Sequence, residues 1–135
     1  MIENDYKLIK INKLKITRVA SFIFEEAKPK QHWNINIIFT DDGTMRRLNF
    51  QFLKSKATTD VIAFDLSDKD TTGEIYINLE RIPQQARDYH VSAENEVMRL
   101  VAHGLYHLLG YEDRTKHQRA FMTRLEDRVL QHFSL

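Results

Sequence analysis

A chain of 135 residues is the size of one ordinary domain around one core, and we expect residues 1–135 to fold as a single unit. Its 42% apolar and 29% charged residues exclude a disordered or fibrous protein, and the absence of cysteine excludes disulfides and thiolate-held metals. A formal charge of +1 excludes a general grip on nucleic acid by bulk charge, so such a role needs a local cluster of Lys and Arg.

Met1 to Ile11 never builds the unbroken apolar run of a secretory signal, and stretches such as Ile35–Phe39 are too short to span a bilayer. The expected location is cytoplasmic, without membrane contact. Tyr6–Ile11 alternates apolar and polar residues and predicts a strand. Leu14, Ile16, Val19, Phe22, Ile23 and Ala27 then recur at helical spacing until Pro29. Trp33–Phe39 is β-branched and aromatic, and Thr40-Asp41-Asp42-Gly43 supplies a turn and a carboxylate cap for a short helix through Leu48 and Phe52.

Val61–Leu66 and Glu74–Asn78 read as strands, and the short polar linker between them suits an antiparallel hairpin. A short helix follows around Leu79–Tyr89 with Pro83 in its first turn, and Ser92 caps a long helix with Glu94 and Glu96 near its positive end. Val97, Leu100, Val101, Leu105 and Leu108 form the apolar stripe of that helix, and Gly110 stands where a left-handed residue would end it. Thr115–Phe133 is a last amphipathic segment through Phe121, Met122, Leu125, Val129 and Leu130. The order βαβαββααα predicts an α+β (mixed α/β) fold, one small mixed sheet covered by helices.

His103 and His107 stand four apart on the long helix, so their rings lie one turn apart on nearly the same face and can point at one ion. Gly110 lets the chain reverse, which places Asp113 to return as a third ligand and leaves a fourth position open, as in catalytic zinc sites. His117 and Glu112 are the competitors for that third place, and a histidine pair edging an apolar face is the alternative without any metal. His32, His90 and His132 read as surface residues. The spacing is that of the metzincin pattern H-E-x-x-H-x-x-G-x-x-H, with Gly104 in place of the glutamate base and Asp113 in place of the last histidine, so peptide hydrolysis is disfavoured.

The stretch HGLYHLLGYED (103–113) resembles the H-G-x-L-H-L-x-G-Y-D-H hallmark of the YbeY-type endoribonucleases, or rRNA maturation factors. Leu48-Asn49 with Thr59-Asp60-Val61-Ile62-Ala63-Phe64 is similar to that family's L-N-x-x-Y-R-x-K-D-x-P-T-D-V-L-S-F, and Gly73-Glu74-Ile75-Tyr76-Ile77 to its G-D-I-x-I-S. The resemblance implies a small mixed α/β fold, one metal held by the final motif, and cleavage of single-stranded RNA. It further implies a part in maturing the 3′ end of 16S rRNA and in ribosome quality control, with the small ribosomal subunit as partner.

The chain departs from the family pattern at two places. Leu53 stands where the family has an arginine, and Lys54 or Lys56 can serve the RNA phosphate instead or be simple solvated lysines. Asp113 replaces the third histidine, which suits zinc (Zn2+) and also a harder ion such as manganese (Mn2+). Glu112 is a candidate general base, and the substrate's own 2′-hydroxyl is the alternative. Lys28, Lys30, Arg46, Arg47, Lys54 and Lys56 before the site and Arg114, Lys116, Arg119, Arg124 and Arg128 after it either converge into a basic groove or cover the surface evenly. The competing functions are a metalloprotease-like hydrolase and a non-catalytic, metal-stabilised ribosome-assembly factor.

Overall fold

A computed structural model describes residues 1–55, 58–68 and 70–135. Strand β1 (Ile2–Asn4) is followed by α1 (Lys13–Ala27), β2 (Trp33–Thr40), α2 (Asp42–Leu53), β3 (Val61–Asp65) and β4 (Thr71–Asn78). A 3-10 turn (Leu79–Arg81) leads into α3 (Ile82–Asp88), α4 (Ala93–Leu108) and α5 (Lys116–His132). The sheet order is β1-β2-β4-β3, with β2 parallel to both neighbours and β3 antiparallel to β4, so the predicted hairpin and the mixed sheet are both present.

The one strand that differs is the first: it lies at Ile2–Asn4 and not at Tyr6–Ile11. Asn4 is the cause, because its Oδ1 accepts from the Tyr6 N–H at 2.9 Å and its Nδ2 donates to the Ile9 carbonyl at 2.9 Å, which folds the segment into a turn. Tyr6, Ile9 and Ile11 still pack on the core, so their alternation records burial without sheet pairing.

The caps form where the sequence places them. Asp41 accepts from the Thr44 N–H at 2.7 Å to start α2, and Ser92 accepts from the Asn95 N–H at 3.0 Å to start α4. The core joins Ile37, Phe39, Ile75 and Ile77 of the sheet to Ile16, Val19 and Ile23 of α1 and to Met98, Val101 and Leu105 of α4. Two glycines let α4 lie unusually close to β4. A Cβ on Gly104 would stand 2.7 Å from Ile75 Cγ2, and one on Gly73 would stand 2.6 Å from Leu108 Cδ1. Gly104 thus faces the sheet, and this close seat fixes which side of α4 is left for chemistry.

Candidate metal centre

α4 ends in a Schellman motif: Gly110, at φ 101°, donates to the His107 carbonyl at 3.0 Å, and Tyr111 donates to the Tyr106 carbonyl at 3.0 Å. Beyond it, the Arg114 and Thr115 N–H groups donate to Gln118 Oε1 at 3.0 and 3.1 Å, within the capping box that opens α5. The short reversal between α4 and α5 is therefore held at both ends. It presents Asp113 Oδ2 at 3.3 Å from His103 Nε2 and at 3.3 Å from His107 Nε2, while the two Nε2 atoms are 2.9 Å apart.

These donors suit a first-row divalent cation. Zinc takes imidazole nitrogen and carboxylate oxygen at about 2.0–2.2 Å, and the three donor atoms stand close enough together for one ion to reach them all. Among the described residues His103, His107 and Asp113 form the group that can hold a metal. His117 lies apart, exposed beside a separate pocket with Glu112 and Phe121. His132 stacks on Phe22 with ring centroids 4.1 Å apart, and His90 takes a left-handed turn conformation at φ 56°.

The second nitrogen of His103 is also engaged. His103 Nδ1 lies 2.7 Å from Glu126 Oε2, and the other oxygen of Glu126 accepts from Arg99 Nη1 at 3.0 Å. Arg99 reaches Asp127 as well, at 2.6 Å. With its proton on Nδ1, His103 turns the Nε2 lone pair toward the metal position. Burial pushes the His103 imidazole down, but the hydrogen bond and charge of Glu126, with the charges of Asp113 and Asp60, outweigh it and hold the ring above its ordinary value. Arg99 is likewise lowered by burial and raised more by Asp127 and Glu126. Glu126 and Arg99 escape the sequence reading. Their signal is a glutamate on the buried stripe of α5, four residues after Met122 and three before Val129.

A cavity of about 900 Å³ opens in front of the three ligand candidates. Tyr111, Glu112 and Arg114 line it beside them, and Asn49, Leu53, Ser55 and the 58–63 segment line the opposite side. That opposite wall is strapped to the sheet through Asn78, whose N–H donates to the Asp60 carbonyl at 2.9 Å and whose Nδ2 donates to the Thr59 carbonyl at 3.3 Å. Asp42 completes the strap: its Oδ1 accepts from Thr58 Oγ1 at 2.7 Å and from Asn78 Nδ2 at 2.9 Å. The Thr58 hydrogen bond leads the effects that hold the Asp42 carboxyl below its usual range, against a smaller opposing effect of burial.

Glu112 is exposed on the cavity wall, and Leu53 lines the cavity where the resemblance has an arginine. Lys54 is the left-handed C-cap of α2 at φ 57° and is exposed between two lining residues without lining the cavity itself. Lys56 lies outside the described residues. Among the described residues, Arg114 is the one member of the basic set that lines this cavity. Arg46 pairs with Asp42, Arg128 with Glu26, and Lys28 and Lys30 border a different groove between α1 and β2.

The family model described as Endoribonuclease YbeY matches residues 1–134. The chain is similar to the Endoribonuclease YbeY of Flavobacterium psychrophilum, 39% identical over 119 residues that cover 87% of this chain and 84% of that protein. It is 33% identical to that of Flavobacterium johnsoniae over 108 residues, covering 79% and 78%. Among solved structures it resembles the solution structure of TM1509 from Thermotoga maritima, with a TM-score of 0.61 and 26% identity over 99% of this chain and 92% of that one.

Proposed function

Given that the chain belongs to the Endoribonuclease YbeY family and so acts on RNA as a hydrolase, we propose that it cleaves single-stranded RNA at the cavity bordered by His103, His107 and Asp113. The processing of 16S rRNA at its 3′ end, on or near the small ribosomal subunit in the cytoplasm, is the biological setting this reading carries with it. The observation that supports it most is the meeting of two Nε2 atoms and one carboxylate oxygen, 2.9 to 3.3 Å apart, on the wall of an open cavity.

His103, His107 and Asp113 would hold one divalent ion, zinc before manganese given two imidazoles in the set. Such an ion supplies Lewis acidity toward the phosphodiester and the attacking nucleophile. The protein's own groups do the rest. Glu126 and Arg99 fix the tautomer and angle of His103, and Arg114 offers a cation to a backbone phosphate at the cavity edge. Glu112 on the same wall is our candidate to take the proton from the nucleophile. Lys54 and Lys56, on the segment leading into the opposite wall, are candidates to contact the strand outside the cavity.

Neither competing function gains an observation. Gly104 packs on Ile75, so the place of the peptidase glutamate has no room for a side chain. Elemental analysis should find one ion per chain, and single-turnover cleavage of unstructured RNA should fall at least a hundredfold in His107→Ala and Asp113→Ala. Equal rates in the intact and substituted proteins would refute the assignment.

A further inference from the structure

A second cavity of about 560 Å³ adjoins the first and shares Asp60, Val61, His103 and Asp113 with it, so the two run on around the metal centre. Glu96 lines this second space. Its side chain is almost wholly buried, at 3% exposure, and among the described residues no hydrogen-bond donor reaches it. Asn95 lines the same space, and its buried Oδ1 is also without a partner. Buried acceptors are normally satisfied, so a buried carboxylate that lines a cavity without a donor marks a place for a ligand that brings one.

The position of Glu96 says what kind of ligand. It precedes His103 by seven residues on α4, which puts it on the same face and about 10.5 Å away along the axis. A phosphodiester at the metal centre would carry its neighbouring base about that far. The cavity is poorly suited to phosphate itself, because Asp60, Glu96, Asp113 and Glu126 line it and Arg99, the Lys or Arg among its described lining residues, is already tied to Glu126 and Asp127. Tyr89 also lines it, 66% exposed, and brings an aromatic ring on which a base can stack. Burial, followed by the charge of Asp60, raises the Glu96 carboxyl above its usual range.

We infer that this second cavity receives the unpaired nucleobase flanking the cleaved phosphodiester, and that Glu96 reads its exocyclic amino group. The inference rests on the RNA-cleaving function proposed above. It predicts that cytosine, adenine or guanine is accepted at this position and uracil disfavoured, since uracil has no amino group to offer.

The test uses the metal-loaded protein and short single-stranded RNAs that differ only in the residue beside the cut: cytidine, adenosine, guanosine, uridine or an abasic site. Uridine and the abasic residue should be cut about tenfold more slowly than cytidine, the scale of one good base-edge contact. Glu96→Gln, which keeps the shape and turns one acceptor into a donor, should narrow or reverse the cytidine-to-uridine ratio. A merely structural glutamate would lower all rates together. In parallel, CMP and UMP are titrated into the protein with and without chelator, and CMP should bind more tightly, with Tyr89→Ala weakening both. Cleavage that ignores the flanking base would overturn the inference and leave the nuclease reading intact. Should no RNA be cleaved, the nuclease reading fails, and equal affinity for CMP and UMP would overturn the base site on its own.

Discussion

Glu126→Gln is the most informative single change at the metal centre. The glutamate accepts two hydrogen bonds with two oxygens, one from Arg99 at 3.0 Å and one with His103 Nδ1 at 2.7 Å. Glutamine has the same shape but only one acceptor. If its oxygen faces His103, its NH2 is pressed against the Arg99 guanidinium, donor to donor. If its oxygen faces Arg99, its NH2 points at His103 Nδ1 and drives the imidazole proton to Nε2, where the lone pair is needed. Either arrangement weakens the ligand, and loss of such a supporting contact costs about 10–100-fold in metal affinity, or about 1.4–2.7 kcal/mol. Competition with a chromophoric chelator measures this directly, and RNA cleavage should return when the ion is supplied in excess. Unchanged affinity in a folded Glu126→Gln protein would show that the Glu126–His103 contact has no hold on the metal site.

Further outcomes at His103, Asp42 and Gly104 follow from the same geometry. His103 stands above its ordinary 6.5, so metal affinity should rise with pH through that raised value as the competing proton leaves. In the metal-free protein the sign is opposite: this histidine's stabilisation is complete below 6.5 and is lost as pH rises through the raised value, which chelator-treated melts at a pH series would reveal. Asp42→Ala removes the acceptor shared by Thr58 and Asn78 and should cost about 1–3 kcal/mol in urea unfolding. Because the Asp42 carboxyl is depressed, its contribution is present above 3.8 and disappears as pH falls through the lower folded value. Gly104→Ala should cost about 1–3 kcal/mol through the clash with Ile75 Cγ2, and in an Ile75→Ala background that penalty should vanish in a double-mutant cycle.

Much of this molecule is readable from local pattern, because its elements are bounded by their own caps. Asp41, Ser92, Thr115 and Gly110 start or stop helices through contacts within a few residues, so α2, α4 and α5 fall where periodicity and capping put them. The convergence of His103, His107 and Asp113 was legible for the same reason, since one helix turn and one reversal create it. What depends on distant partners was not legible. Tyr6–Ile11 has the period of a strand, but the side chain of Asn4 spends its hydrogen bonds making a turn. Glu96 and Glu126 look like ordinary helix-surface carboxylates in sequence. Only the packing of α5 beside α4 shows that Glu126 is bonded to His103 and that Glu96 lies buried with no donor among the described residues.

The two carboxylates nearest the histidines explain why an aspartate can stand where the resemblance has a third imidazole. Glu126, with 7% of its side chain exposed, sits where a bare anion would be costly, and Arg99 binds its second oxygen to offset that cost. Asp113, on the solvent side of the triad with 37% exposed, needs no such partner, because water solvates the carboxylate when no ion is bound. His103 and His107 are more enclosed, at 22% and 29%, on a helix whose close seat against Gly73 and Ile75 of β4 leaves little freedom. The outermost of the three ligand candidates is thus the one whose chemistry can change at least cost to the fold. With an ion bound, an aspartate in this place would leave the site less cationic than three imidazoles would, which would suit harder divalent ions and lessen repulsion of Arg114 on the same cavity wall.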